Sequence, residues 1–550
     1  MMHPKIPLAQ NLIEIFKQKG VQHIVISPGS RNAPLTIGFT ANPFFTCYSI
    51  VDERCAAFFA LGMAQQLQQP VAVVCTSGSA LLNYYPAVAE AFYSQIPLLI
   101  VSADRPQSKI DIGDGQTIRQ ENVFANHSLY NANLNEEASE ENDLKIQEAV
   151  FYAVSKKGPV HINVPFEEPL YETTEFPHGA PVLVDLIQKE EAFKLDKWIQ
   201  EKWHSTSKKM ILIGELAPNS LSETVIQSLV SDPSLVVLIE KSANLHHVQF
   251  IDKIDTLITP LNEQELTVLK PEILLTFGGM VVSKRIKSYL RKFQPQAHWH
   301  VDELRAYDTF GALKEHFVTH PNTFLAQLYA HLPEKQSDYA TTVLAIWHKK
   351  IQKHQAYLTK MPYSDYKVFD FVSKHLPIHF QLQVSNSSAI RYVQLLDFSS
   401  LTSIYCNRGT SGIDGSTSTA IGAAVQTTNP VCLLTGDISF FYDSNALWNN
   451  YIPRNFKIIV INNSGGGIFR ILPGHEETVT FNTYFETSHE LSAEHVAKMH
   501  GLSYFKASDF SSLRSVWNAF IAESTPSILE VFTPEKENDK VLLGYFTALN

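Results

Sequence analysis

Short apolar runs rich in β-branched residues recur through the first and last thirds of this chain, each closing in a Gly-, Ser- or Asn-bearing turn and passing into a helical pattern. That alternation restricts the fold to βαβ units, hence to parallel sheets flanked by helices in an α/β architecture. Val21 to Ser27, Pro70 to Cys75 and Pro97 to Ala103 read as strands, with helices over Leu8 to Lys19, Glu53 to Gln66 and Ser79 to Phe92. In the last third, strands fall at Phe380 to Ser385, Ser403 to Asn407, Val431 to Leu434, Lys457 to Ile461 and Ser527 to Phe532, with a helix over Asp443 to Tyr451. A fainter version runs through the middle, at Met210 to Gly214, Leu235 to Glu240, Ile273 to Gly278 and His298 to Val301.

A chain of 550 residues is too long for one core and divides into about three domains. The Pro- and Glu-rich stretch Pro165 to Pro181 reads as a first linker. The polar helical segment from about Leu332 to Tyr366 reads as a second. They set domains at residues 1–175, 185–335 and 350–550. An apolar content of 45% supplies the cores, and 18% charged residues argues against disorder. A net charge of -11 with no basic stripe speaks against nucleic acid as a partner. No apolar stretch approaches the roughly 20 residues of a membrane span, and Met1 to Ala9 shows no secretory pattern. Cys47, Cys55, Cys75, Cys406 and Cys432 form no C-x-x-C pair; four of them sit in apolar stretches and read as buried free thiols, which fits a cytoplasmic protein.

Ligands of open parallel sheets collect beyond the carboxyl ends of the strands. Ser27 to Arg31, Thr76 to Ser79 and Ser102 to Pro106 should therefore share one rim. In the last third, Thr435-Gly436-Asp437 and Asn462-Asn463-Ser464-Gly465 close successive strands. Adjacent parallel strands would bring Asp437 beside Asn463, and a carboxylate with an amide oxygen suits Mg²⁺, a hard cation that keeps phosphate oxygens in its shell. The glycines let backbone approach a diphosphate closely. Taken singly, Gly-Asp and Asn-Asn are ordinary turn residues, and a Glu at a helix start, such as Glu53 in Val51-Asp52-Glu53-Arg54, is ordinarily a cap or a solvated charge. Their combination is far more specific.

The Gly-Asp and Asn-Asn pair, with Glu53, resembles the thiamine-diphosphate (ThDP) enzymes of the decarboxylase type. The resemblance implies a three-domain ThDP-enzyme fold, with the cofactor's pyrimidine held by the first domain and its diphosphate by the last. It implies Asp437, Asn463 and the carbonyl of Gly465 as ligands of Mg²⁺ or Mn²⁺. Ser77, Gly78, Gly436, Ile413, Ile468 and Phe469 become further cofactor contacts. Glu53 becomes the catalytic residue, paired with a pyrimidine nitrogen so that the cofactor can form its own nucleophile. Because the two halves of such a site lie on different subunits, Glu53 of one chain should face Asp437 of another. That makes the protein a homodimer at least, with a homotetramer left open.

Further strings narrow the family: Ser27-Pro28-Gly29-Ser30-Arg31, Ser102-Ala103-Asp104-Arg105-Pro106, Gly115-Gln116, Ser283-Lys284-Arg285, Asn386-Ser387 with Arg391, Asn407-Arg408-Gly409 and Gly467-Ile468-Phe469. This set resembles the 2-succinyl-5-enolpyruvyl-6-hydroxy-3-cyclohexene-1-carboxylate synthase family over essentially the whole chain. The resemblance implies decarboxylation of 2-oxoglutarate and conjugate addition of the succinyl carbanion equivalent to isochorismate, a transferase step of menaquinone biosynthesis. Both substrates carry two carboxylates, which arginine grips well. The resemblance assigns Ser387, Arg391 and Arg408 to 2-oxoglutarate, and Ser30, Arg31, Arg105, Gln116, Lys284 and Arg285 to isochorismate. Singly, each such arginine is more often a surface charge or a structural ion pair. The sequence departs from the family pattern at Gly115, where Asn is common, and at Ser488, where Pro is common, close to His489 in a stretch resembling a mobile active-site segment. An acetolactate-synthase-like carboligase or decarboxylase would not need so many arginines. A non-catalytic regulatory paralogue would have no reason to keep Glu53. A dinucleotide-dependent dehydrogenase is excluded because no G-x-G-x-x-G follows the first strand of any unit.

Overall fold

The computed structural model describes residues 2–187, 192–330, 337–398, 400–471 and 476–550. Three parallel sheets organise them. The N-terminal sheet has, in spatial order, Thr46–Ser49, His23–Ile26, Val71–Cys75, Leu98–Asp104, Val160–Pro165 and Asn131–Asn133. The C-terminal sheet repeats that order with Ser403–Tyr405, Gln381–Val384, Val431–Gly436, Lys457–Asn462, Ser527–Phe532 and Ser503–Ala507. Counted along its own stretch of chain, each runs 2-1-3-4-6-5. The winding thus reverses between the first and third strands, the place where such sheets open a crevice for ligands. A central sheet of five parallel strands orders Leu235–Ile239, Lys209–Ile213, Ile273–Phe277, Ala297–Val301 and Leu313–Phe317.

Every strand expected from the sequence is present to within about two residues at either end. The strands that escaped are instructive. Asn131–Asn133, Leu313–Phe317 and Ser503–Ala507 are polar edge strands. Val160–Pro165 is fully buried, but His161 and Asn163 interrupt its apolar run; inside the sheet both bond to the Ser102 hydroxyl, at 2.7 and 2.8 Å.

Two helix expectations are corrected. The stretch from Ser79 is two helices, Ser79–Asn83 and Tyr85–Ser94, because Pro86 has no N–H to continue the first. The helix placed over Asp443 to Tyr451 instead occupies Asp437–Tyr442, followed by a 3₁₀ turn over Ser444–Leu447. The buried Asp443 carboxylate is drawn aside to accept from the Ser418 N–H (2.7 Å) and hydroxyl (3.0 Å) at the head of helix Ser416–Val425. The first linker is not free either: Thr173–Thr174 pairs antiparallel with His3–Pro4, and the Gln10 amide oxygen accepts from the His178 and Gly179 N–H groups. Residues 332–336 of the second lie outside the described residues, and helix Tyr339–Lys360 follows.

The N- and C-terminal domains meet through helix Glu53–Leu67 and helix Ser416–Val425. Both are lined with small residues, and the approach is closest at two glycines. A Cβ at Gly62 would lie 2.0 Å from the Thr419 carbonyl oxygen, and one at Gly422 would lie 2.0 Å from that of Phe59. Gly62→Ala and Gly422→Ala should each cost about 1–3 kcal/mol by overpacking and also lower kcat/KM, since this crossing sets where Glu53 stands. Gly20→Ala, whose Cβ would meet nothing within 4 Å at a φ of +75°, should cost about 1–2 kcal/mol of backbone strain and leave kinetics unchanged. Calorimetric unfolding and steady-state rates on the three variants check this.

Candidate active site

Glu53 opens helix Glu53–Leu67, with Asp52 as N-cap accepting from the Cys55 N–H. Its side chain looks into a cavity of 350 Å³ at the switch point of the N-terminal sheet, lined also by Ser30, Ser77, Gly78 and Gln116. Burial raises its carboxyl above the usual range, a backbone hydrogen bond opposes that, and the charge of Asp52 adds to it. The wall is built by close packing of two loops. Gln116 takes a left-handed backbone (φ 55°), the Ser77 hydroxyl donates to its carbonyl at 2.9 Å, and a Cβ at Gly78 would come within 3.3 Å of the same oxygen. The Gly78 N–H donates to Gln120, a buried amide whose own N–H group reaches Asn163 on a neighbouring strand. Gly115 faces open space at the rim.

At the equivalent end of the C-terminal sheet, the adjacent strands Val431–Gly436 and Lys457–Asn462 present Asp437 and Asn463 together. The Asp437 carboxylate accepts from the Ile438 N–H (2.7 Å) and from the Gly465 N–H (3.0 Å). The Asn463 NH₂ donates to Asp365 at 2.8 Å, whereas its Oδ1 is buried with no partner. An orphaned hard oxygen beside a carboxylate is what a small divalent cation needs. A Cβ at Gly436 would meet nothing within 4 Å, so the turn is open to a bulky anion. Gly465 takes a φ of +154°, and a Cβ there would lie 2.8 Å from the Glu486 carbonyl oxygen. The residue order Glu486 to His489 therefore lies directly over the loop: Gly466 donates to the Glu486 carbonyl, and His489 donates its N–H to that of Ser464. The His489 imidazole stands 3.3 Å from Asp437 Oδ2, which raises its pKa. Ser488 turns outward, its hydroxyl donating to Glu535.

Three family models match along the chain: thiamine pyrophosphate enzyme, N-terminal TPP binding domain, over residues 6–130; middle domain of thiamine pyrophosphate, over 183–384; and thiamine pyrophosphate enzyme, C-terminal TPP binding domain, over 387–531. Curated proteins named 2-succinyl-5-enolpyruvyl-6-hydroxy-3-cyclohexene-1-carboxylate synthase align end to end. That of Flavobacterium psychrophilum is 61% identical, with 100% of both chains covered. That of Flavobacterium johnsoniae is 60% identical, again over 100% of both. That of Porphyromonas gingivalis is 37% identical, over 98% of this chain and 96% of its own. The chain belongs to the 2-succinyl-5-enolpyruvyl-6-hydroxy-3-cyclohexene-1-carboxylate synthase family. ThDP is its cofactor, and the open Gly436 turn, the orphaned Asn463 oxygen and the Glu53 cavity fit that group and its cation.

The remaining residues expected of a synthase of this family fall into two sets. Ser30 and Gln116 line the Glu53 cavity. Arg31 and Arg105 do not: buried Arg31 donates to the Phe166 carbonyl (2.9 Å) and to Glu168 (3.1 Å), and Arg105 lies 3.6 Å from Asp114 on the loop that carries Gln116. Lys284 and Arg285 lie at the head of helix Lys284–Lys292 in the central domain, where Arg285 reaches the C-terminal helix Asn538–Ala548. The Arg285 guanidinium stacks 4.3 Å over the Phe546 ring, 4.0 Å from Asp255. Ser387 follows the first C-terminal strand with a left-handed φ of 66°, and its hydroxyl caps nothing in the helix it precedes. Arg391 donates to the Ser387 carbonyl and, with Ile468, lines a narrow pocket. Burial lowers the pKa of Arg391, and the positive charge of Arg408 lowers it further. Ile413 and Ile468 are half-buried rather than packed in the core, and Phe469 meets Phe485 edge to face at 5.9 Å.

Asp365, Asn386 and Gln120 were not assigned from the sequence. Asp365 falls within the polar helical segment read as a linker; in the fold it is a first-turn acid after the cap Ser364 and the anchor of Asn463, with a carboxyl that burial pushes up to about 6. Glu53→Gln keeps shape and removes the ionisable group. Turnover should fall at least about 100-fold, as for loss of a proton-handling side chain, while ThDP affinity by calorimetry stays within a few-fold. Near-normal turnover would remove Glu53 from the chemistry.

Proposed function

We propose that this chain decarboxylates 2-oxoglutarate and joins the remaining succinyl unit to isochorismate by conjugate addition, giving 2-succinyl-5-enolpyruvyl-6-hydroxy-3-cyclohexene-1-carboxylate and CO₂ for menaquinone biosynthesis. What carries this reading is the end-to-end likeness to the synthase family, joined by Arg391 beside the Gly467–Ile468 turn and by Arg408 within its electrostatic reach. Two guanidiniums that sense each other's charge favour an anion nearby, and a 2-oxoacid with a second carboxylate supplies one.

ThDP, when bound, supplies the nucleophilic carbon that takes up the oxoacid and the electron sink that lets its carboxylate leave. Asp437, Asn463 and the Gly465 carbonyl would hold Mg²⁺, or Mn²⁺, against the diphosphate. Glu53 would give and take a proton at a pyrimidine nitrogen, with its desolvated carboxyl poised nearer neutrality than an exposed one. Ser77 and Gly78 would border the pyrimidine, and Ile413, Ile468 and Phe469 would shield the reacting region from water. Ser387, Arg391 and Arg408 would orient 2-oxoglutarate. Ser30, Gln116, Lys284 and Arg285 would receive isochorismate, while Arg105 and Arg31 brace the loops around it.

The Glu53 cavity is lined by N-terminal-domain residues alone, and the diphosphate loop by C-terminal ones. A homodimer in which each chain supplies one half of two sites resolves this. Beside each half-site the chain exposes aromatic groups suited to such an interface: Tyr442 against Arg54, and Tyr484 and Phe485 by the diphosphate loop. A tetramer would be a further pairing of such dimers. No helix among the described residues is long and apolar enough to cross a membrane, and the five cysteines are free, which supports a cytoplasmic location.

Incubation with ThDP, Mg²⁺, 2-oxoglutarate and isochorismate should consume isochorismate only when all are present, with a succinyl adduct by mass spectrometry. Release of CO₂ with isochorismate untouched would leave the cofactor reading and remove the acceptor. Mixing inactive Glu53→Gln with inactive Asp437→Ala chains under exchanging conditions should restore roughly a quarter of full activity, since half the dimers then hold one intact site. No recovery despite subunit exchange would place both halves of the site on one chain.

A further inference from the structure

The loop that carries Arg408 is held from two sides. On one side stands Asn386, from the turn after the first C-terminal strand: its amide N–H group donates to the carbonyls of Asn407 and Gly412, both at 2.7 Å, and its oxygen accepts from Arg408 Nη1 at 2.6 Å. On the other side stands Glu90, which belongs to the N-terminal domain. Its Oε1 accepts from the Gly409 N–H at 2.7 Å, and its Oε2 accepts from both the N–H and the hydroxyl of Thr410, each at 2.7 Å. Ser94, one turn on, donates to Oε1 as well. The carboxylate is only 1% exposed. The approach is too close for any side chain at Gly409, where a Cβ would lie 2.6 Å from the Glu90 carbonyl oxygen.

We infer that Glu90 is the positioning residue for Arg408, fixing the guanidinium that meets 2-oxoglutarate by gripping the two residues after it. The inference rests on the reading of Arg408 as an oxoacid residue. The geometry is specific to that task. Two consecutive loop N–H groups and one hydroxyl converge on a single carboxylate, so the backbone leaving Arg408 has one placement; the Arg408 Nε is buried without a partner, leaving its aim to the backbone and to Asn386. Misplacing such a group by about an ångström is enough to weaken substrate orientation severely. Glu90 also lies on helix Tyr85–Ser94, which continues directly from helix Ser79–Asn83, whose Ser79 and Asn83 wall the Glu53 cavity. Two successive helices, broken at Pro86, thus link the pyrimidine half-site to the loop of the oxoacid arginine in the neighbouring domain.

Glu90→Gln tests this in the full-length enzyme loaded with ThDP and Mg²⁺. The amide replaces one acceptor oxygen by an NH₂ that opposes the loop's own N–H groups. The KM for 2-oxoglutarate should rise about tenfold, while the KM for isochorismate and the affinity for ThDP stay within about twofold. A lower melting temperature with an unchanged KM for 2-oxoglutarate would make Glu90 a mere interdomain tie and overturn the inference. Should Glu90→Gln fail to fold, Thr410→Val decides, since it deletes one donor to Glu90 and keeps the rest; the same KM should rise about threefold, and no change would overturn the inference. Arg408→Ala separates the two layers. If it leaves the KM for 2-oxoglutarate unchanged, Arg408 is not an oxoacid residue and the role of Glu90 falls with it. If it raises that KM and the Glu90 and Thr410 variants do not, only the positioning role is lost.

Discussion

Helix Glu53–Leu67 and helix Ser416–Val425 cross so closely that each places a glycine against the other's backbone carbonyl. The rest of the arrangement follows from that contact. Two α/β domains with the same strand order could pack in many ways. A crossing at backbone distance leaves one, because a side chain at Gly62 or Gly422 would force the helices apart. The crossing begins at functional residues on both sides: Glu53 starts one helix, and the stretch from Arg408 through Ile413 leads into the other. Gly415, at the entry to the second, would drive a Cβ to 2.3 Å from the Phe58 ring. The glycines therefore relate the pyrimidine half-site to the oxoacid loop as firmly as any covalent link between the domains.

Buried carboxylates fix the loops that the helices only bring near. Asp443 caps helix Ser416–Val425 through Ser418, with a carboxyl that burial pushes up to about 6. Glu240 accepts from the Val282 and Ser283 N–H groups, each at 3.0 Å, just before Lys284 and Arg285; burial pushes its carboxyl to about 7. Glu530 accepts from the Asn462 side chain (2.8 Å), the Ala493 N–H (2.9 Å) and the Tyr504 hydroxyl (2.7 Å), behind the diphosphate loop. Glu90 belongs to the same group. Each acid reaches from one element to the backbone of another. A carboxylate is costly to bury unless hydrogen bonds replace its water, so each loop conformation that satisfies its acid is favoured over those that do not.

The sheets were legible because strand alternation and strand-end turns are local signals, read residue by residue. The metal pair was legible for the same reason: Asp437 and Asn463 each end an apolar strand, and parallel pairing brings strand ends together. The organising acids were not. Glu90 sits in Pro86-Ala87-Val88-Ala89-Glu90-Ala91, where it reads as the solvated side of a helix, and its partners lie in another domain. Arg31 shows the converse. Its string is conspicuous in sequence, but whether a guanidinium faces a ligand or braces a loop depends on distant Phe166 and Glu168. The helix expected over Asp443 to Tyr451 failed because its first residue was needed as an acceptor elsewhere.

Positive charge gathers on the central and C-terminal domains, where residues assigned to both substrates meet. Overall the chain is acidic, at -11, so positive charge at the site has to be held locally. The charge of Arg408 disfavours the proton of Arg391, and Asp255, bonded to Ser283 and close to Arg285, interacts with both Arg285 and Arg391. Around Arg408 the buried Glu215 and Glu240 add further acids, and the Glu90 carboxylate grips its loop, so each guanidinium is held within a network of acids that also positions it. The Glu53 cavity, by contrast, is bordered by hydroxyls, an amide and a desolvated acid. Burial, with the like charge of Asp52 beside it, keeps the Glu53 carboxyl in the raised range where proton exchange with a ring nitrogen is easiest.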